Sequence, residues 1–304
     1  MSRDYRIASF RLRVHPPCDD IAGAGVAGFA KFEVDCDPTA ECVAEFRLDR
    51  RLSLSDFRIE ALHRFDFADA DSDCLFGRTD DGFIFHMRPH GCTDDSRTTI
   101  FIKRHGSNLV ESNIAADGAP DPTLLRFGLW IMFGLAVNPL QAAAVHSSVI
   151  VKDGDAVIFL GESGTGKSTH TRLWREHIDE ARLLNDDSPI VRIIDGQPVV
   201  CGSPWSGKTP CYINKCYPLR GVVRLSQAPH NRMRRLSLFE AFGALYPSCP
   251  PSFAYDSELQ SNVSSMIAAI VGSVGVWHLE CLPDGDAARL AYKTIFGDQI
   301  HPIS

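Results

Sequence analysis

At 304 residues, with 44% hydrophobic and 23% charged residues, the chain has room for two domains and the composition of an ordinary globular protein. Its formal net charge of −7 argues against a general nucleic-acid binder, which needs a basic face to displace counterions. No apolar run follows the opening Met-Ser-Arg-Asp-Tyr-Arg, and the apolar stretch 124–137 is short for a bilayer and interrupted by Arg126. The ten cysteines are scattered without a C-x-x-C pair, a usage that fits reduced thiols. The expectation is a cytoplasmic protein with neither membrane nor nucleic acid as a partner, its oligomeric state left open.

In chain order, the first ~115 residues read as strands joined by polar turns, by alternation and by β-branched and aromatic content. Candidate strands are 7–14, 29–34, 43–48, 83–87 and 98–103. No chemistry stands out there, and residues 1–118 are expected to form a β-rich N-terminal domain. The segment Ala116-Asp117-Gly118-Ala119-Pro120-Asp121-Pro122 reads as a linker. Asp121 then supplies an N-cap and Pro122 a first helical residue for a helix over 122–137, apolar nearly all round and so expected to be buried.

From there the pattern alternates strand and helix, which predicts an α/β domain over 119–304. Strands 145–151 and 156–160 flank an Asp153-Gly154 turn; a glycine-rich loop and a helix over 167–178 follow. A strand 182–185 runs into Asp186-Asp187, and strands 190–194 and 198–201 flank Asp195-Gly196, a strong hairpin signal. Later elements are a strand near 221–225, helices near 236–245 and 258–271, a strand 276–282, and a helix after Pro283.

Residues 161–168, Gly161-Glu162-Ser163-Gly164-Thr165-Gly166-Lys167-Ser168, match G-x-x-x-x-G-K-[ST] without a mismatch. Glycines let the chain curl so that successive backbone N–H groups point at phosphate oxygens, and the following helix adds its unpaired N–H groups. Lys167 then reaches the β and γ phosphates, and the Ser168 hydroxyl can ligate magnesium. An apolar strand before the loop and a helix after it supply the required context, which a chance glycine turn would lack.

Asp186 lies only 19 positions beyond Lys167, which leaves room for one helix and one return strand. The acidic pair therefore sits on the strand right after the loop helix. One carboxylate can hold a metal and the other can accept a proton from an attacking hydroxyl; a solvated turn is the plain alternative. His146 lies on the strand before the loop strand, where a hairpin through Asp153-Gly154 would bring it alongside.

Taken together, VHSSVIVKDGDAVIFLGESGTGKST and LLNDD resemble the nucleotide core shared by HPr kinase/phosphorylases and phosphoenolpyruvate carboxykinases. The resemblance covers residues 144–188 well and the rest of the second half loosely. Pro204-Trp205-Ser206-Gly207-Lys208 also looks like a segment of kinase-like relatives in this group. It implies a carboxykinase-like P-loop kinase domain behind the β-rich one, with Gly161, Ser163, Gly164, Thr165, Gly166, Lys167, Ser168 and Thr169 on the phosphates of ATP. It implies Mg2+, or Mn2+ in its place, on Ser168 and Asp187. Asp186 would be the general base in the HPr kinase pattern or a further metal contact in the carboxykinase pattern, and His146 would sit at the reacting end. Lys208 could add a second cation at the γ-phosphate, a surface lysine being the even alternative.

The departures from the family are the short chain, the missing counterparts of carboxylate-binding residues, and the N-terminal half. The expected function is ATP- and magnesium-dependent transfer of the γ-phosphoryl group to a serine-type hydroxyl of a protein, peptide or small molecule. Transfer to a small carboxylate, a nucleotide sensor without turnover, and a simple hydrolase are the alternatives. Among weaker candidates, Arg232, Arg234 and Arg235 read mainly as a solvated face. His86, His90 and Cys92 lack a fourth ligand, and Cys211 and Cys216 read as ordinary thiols.

Overall fold

The structure is a computed structural model describing residues 1–207 and 209–297. It divides into two compact units, Met1–Pro139 with Ser252–Gln260, and Leu140–Pro251 with the residues from Ser261 onward.

The first unit is a nine-stranded sheet made of β1 (Arg3–Ile7), β2 (Phe10–Val14), β3 (Glu33–Val34), β4 (Ala44–Arg47), β5 (Glu60–Phe67), β6 (Ser72–Arg78), β7 (Gly82–Pro89), β8 (Thr99–Arg104) and β9 (Leu109–Ser112). Their spatial order is β3-β1-β2-β4-β9-β8-β7-β6-β5. The single strand expected over 7–14 is instead a hairpin turning at Ala8-Ser9, both residues at positive φ. Of the strand expected over 29–34 only Glu33–Val34 forms, 29–31 being part of a short 3-10 turn, and β5, β6 and β9 show no clear alternation in sequence. In β6 the reason is burial on both faces, which leaves no polar side to alternate with.

Helix α1 (Pro122–Val137) starts as expected, with the Asp121 carboxylate accepting from the N–H groups of Thr123 and Leu124 at 2.9 and 3.0 Å. It packs on β8, β7 and β4 of the first sheet, closely enough that a Cβ on Gly128 would stand 2.2 Å from the Phe101 ring. This packing puts the boundary after Pro139 and not at 118/119, so the helix belongs with the β-rich unit. With the 3-10 turn after it, Pro122–Leu140 is a run of 19 residues holding an 18-residue window of mean hydropathy 1.4. By length and composition it reaches what a bilayer span needs, which the shorter stretch 124–137 did not; just over half of its most apolar window is buried.

The second unit holds a second nine-stranded sheet with helices. Its strands are β10 (Ala142–Ala144), β11 (Ser147–Lys152), β12 (Asp155–Leu160), β13 (Arg182–Asp187), β14 (Ile190–Ile194), β15 (Gln197–Cys201), β16 (Cys216–Gln227), β17 (Arg232–Arg235) and β18 (Gly275–Cys281). The path runs β10-β14-β15-β16-β12-β11-β13, with β18 beside β16 and β17 beside β18. Helices α2 (Lys167–His177), α3 (Leu238–Leu245), α4 (Ser257–Ser273) and α5 (Gly285–Phe296) complete the described chain, α4 beginning in the first unit and continuing in the second. Both units together make a mixed α/β fold with large sheets.

One core of the second unit lies between α2, α5 and the sheet. Phe159 of β12, Val223 and Leu225 of β16 and Leu279 of β18 meet Leu173 and Trp174 of α2 and Ala288 and Ala291 of α5. Burying a side chain of this size is worth about 1.5–3 kcal/mol, so the helix behind the glycine loop is held firmly against the strand before it. One expectation holds and one fails here. Arg232, Arg234 and Arg235 are exposed, as a solvated face expects, but they lie on β17, an edge strand paired with β18, and not in a loop. Cys216 is not a free thiol: β15 and β16 place Cys201 directly opposite it and the two form a disulfide. Cross-strand register, invisible in cysteine spacing, makes that pair.

Candidate functional site

Strand β12 is apolar and buried from Ala156 to Leu160, as a strand with neighbours on both edges requires. Where it ends the chain turns through the glycine loop. Gly164 and Gly166 sit at φ 82° and 101°, conformations that a Cβ would strain. Gly166 starts α2 without any side-chain cap, so the first amides of the helix are left for another acceptor.

Lys167 folds back over this loop. Its ammonium donates to the carbonyl oxygens of Gly161 at 2.7 Å and Glu162 at 3.3 Å, and to His146 Nε2 at 3.1 Å. An ammonium only donates, so Nε2 is the accepting nitrogen and Nδ1 of the neutral ring carries the proton. That Nδ1 faces Asp187 Oδ1 at 3.3 Å. Burial holds the Lys167 pKa below its usual value, with Asp187 and Asp186 opposing the shift. His146 precedes β11, where the chain passes from β10 and its partner β14 to β11 and its partners β12 and β13.

The acidic pair ends β13. Register against β11 sets Asp186 opposite Ser148 and Asp187 opposite Ser147. The Ser148 hydroxyl donates to Asp186 Oδ1, and the Ser168 hydroxyl lies 3.2 and 3.1 Å from the two Asp186 oxygens. Asp186 is thus buried against two hydroxyls, whereas Asp187 is half-exposed beside His146. Asp187 also sits at φ 146°, a strained value for a residue with a side chain. It is Asp186, and not Asp187, that meets the hydroxyl of the loop serine.

A further segment closes over the pair. Asn185 Nδ2 donates to the Trp205 carbonyl at 3.1 Å, Gly207 N–H donates to the Asp186 carbonyl at 2.6 Å, and Ser206 bridges to Asp187. Trp205 is fully buried and anchors this stretch. The Cys201–Cys216 disulfide ties its two ends together at the start of the long strand β16. Cys211 in the same stretch reaches the carbonyls of Leu183 and Leu184, and burial followed by the Asp186 charge raises its thiol pKa. Lys208, the expected second cation, lies outside the described residues.

The structure therefore brings together His146, the loop 161–168, Asp186 and Asp187. Ser148 and Asn185 were missed; each is polar in an apolar strand, a signal weak in sequence and decisive once register is known. Thr169 stands one residue into α2 from Ser168, partly buried. Ser163 lies exposed at the loop tip. In the first unit His86 is buried in β7, its pKa lowered to about 4 by burial, while His90 pairs with Asp73 at 3.0 Å. His90 gathers with Asp66 and Asp73 at the surface, so His86, His90 and Cys92 do not form one ligand set.

Oxygen donors from Ser168 and Asp186 within 3.2 Å of one another suit a hard divalent cation such as Mg2+.

No protein-family model and no curated protein matches the chain. Among solved structures it is similar to the HPr(Ser) kinase/phosphatase from Coxiella burnetii, at 12% identity over 49% of this chain and 90% of that chain, with a TM-score of 0.28. That is a weak structural relationship.

Proposed function

We propose that the second unit is a P-loop, carboxykinase-like phosphotransferase that moves the γ-phosphoryl group of ATP to a hydroxyl acceptor. One observation carries the reading: a phosphate-loop lysine and serine face two adjacent carboxylates that have separate partners. Loop amides and Lys167 would hold the phosphates and offset the charge that builds on the γ-phosphoryl oxygens. Ser168 and Asp186 would hold Mg2+, which when bound screens the phosphate charge. Asp187, half-exposed and backed by His146, is then the carboxylate placed to accept the acceptor's proton. The step balances: the γ-phosphorus loses its bond to the β-bridging oxygen, gains one to the acceptor oxygen, and the hydroxyl proton passes to Asp187. The pairings thus favour the reverse of the HPr kinase pattern, in which Asp186 is the base and Asp187 the metal ligand, and keep Asp186 as a metal contact, as the carboxykinase pattern has it.

The test is incubation with γ-labelled ATP, magnesium and hydroxyl acceptors, serine peptides and small alcohols alike. Label should appear on an acceptor with the wild type. Asp187→Asn should lower transfer by roughly 10²–10⁴-fold while still binding Mg-ATP, the range of a lost general base. Tight nucleotide binding with no label on any acceptor would make the protein a sensor; label released only as inorganic phosphate would make it a hydrolase.

A further inference from the structure

The second unit contains a cavity of about 510 Å³ against the glycine loop, within the size range of small-molecule sites. It shares Gly164, Thr165 and Gly166 with the phosphate loop but is lined by none of Lys167, Ser168, Asp186, Asp187 or His146. Its far walls come from α2 and from the ends of β16 and β18. Leu173, Leu225, Ala228, Leu282 and Pro283 make most of that surface apolar. No charged side chain lines it.

We infer that this cavity is the nucleoside pocket of the site, taking the flat heteroaromatic base of the nucleoside triphosphate; the inference rests on the phosphate reading above. In a phosphate loop the backbone amides cradle the α and β phosphates, while the lysine reaches onward to β and γ. The end of a triphosphate away from Lys167 therefore leaves the loop on the side of its glycines, where the cavity opens. An apolar slot gains from burying a base, whereas a bare triphosphate gains nothing there. Gln227 joins the two parts. Its side-chain N–H donates to the Gly164 carbonyl at 3.1 Å, which leaves the amide oxygen of Gln227 as an acceptor for an N–H on the base edge. His170, also on the wall, accepts the Trp174 indole N–H at 3.1 Å and is held neutral by burial, its pKa near 4. The wall therefore stays uncharged at neutral pH. Cys281, a free thiol on the opposite wall, gives a chemical reporter.

Calorimetric titration of the full chain with Mg-ATP and with Mg-tripolyphosphate tests the assignment, alongside Ala228→Trp, which fills the cavity. Wild type should bind Mg-ATP at least tenfold more tightly than Mg-tripolyphosphate, and Ala228→Trp should abolish that preference while still binding tripolyphosphate. Mg-ATP, and not tripolyphosphate, should slow alkylation of Cys281 by iodoacetamide, read by peptide mass spectrometry on the wild type. Equal binding of the two ligands by wild type, or an ATP preference that survives in a folded Ala228→Trp, overturns the nucleoside pocket and leaves the phosphate site standing. Binding of neither ligand by wild type removes the phosphate reading, and this inference with it.

Discussion

Lowering the pH from 7 to 5 should weaken the second unit through one buried ring, His170. It sits on α2 with 3% of its surface exposed, edge-on to Phe159, and accepts the Trp174 indole N–H. Burial lowers its pKa from 6.5 to about 4. Between those values the unfolded chain binds a proton that the folded chain refuses, so stability rises with pH through that window and is complete above it. The whole shift corresponds to about 3 kcal/mol at 1.36 kcal/mol per unit, of which roughly 2 kcal/mol is lost between pH 7 and pH 5. His86, also depressed to about 4, adds a like dependence in the first unit. Comparison with His170→Gln, which cannot titrate but keeps an acceptor for the indole, isolates the contribution of His170. Urea unfolding at both pH values, followed by tryptophan fluorescence, should show the wild type losing roughly 2 kcal/mol more than the variant. Equal losses in the two proteins would refute the argument.

Other perturbations should act on the segment that closes over the acidic pair. Reducing the Cys201–Cys216 disulfide, which spans a sequence separation of 15, should cost the second unit up to about 3 kcal/mol, the chain-entropy value for a loop of that size, as read by urea unfolding with and without dithiothreitol. No change in the unfolding midpoint would show that the bond does not constrain the loop. Gly202→Ala would put a Cβ 1.9 Å from the Ile213 carbonyl oxygen, so backbone must move; a loss of more than about 1 kcal/mol is expected, and a melting temperature equal to wild type would contradict the packing. Asp186→Asn should weaken the magnesium dependence of nucleotide binding, whereas Asp187→Asn should leave it unchanged. Identical magnesium titrations for the two variants would erase the division of roles.

Much of the site was legible in the sequence because its parts are local. The loop 161–168, the strand before it and the helix after it follow from glycine spacing and from a run of apolar residues. Asp186 and Asp187 were placed by counting the residues that one helix and one strand consume. What sequence could not give was register. Ser148 acquires a role only because β11 lays it opposite Asp186, and the Cys201–Cys216 bond exists only because β15 and β16 align those two residues. Which neighbour each carboxylate meets, two hydroxyls for Asp186 and His146 for Asp187, is likewise beyond what spacing along the chain can say. In the first unit β6 escapes the pattern because burial on both faces removes alternation; in the second unit β17 does so because RMRR looks like a solvated loop until an edge pairing with β18 is seen. The helix 122–137 was read correctly and assigned to the wrong unit, since apolar residues all round do not say which sheet receives them.

The central claim is that Lys167 and the loop beneath it hold the phosphates of a nucleotide, and calorimetric titration with Mg-ATP tests it most directly. Wild type should bind with a measurable dissociation constant. Lys167→Met, which keeps the length of the side chain and removes its charge, should weaken binding about tenfold or more, by loss of one charge-assisted contact. Equal affinity in the two proteins would contradict the account.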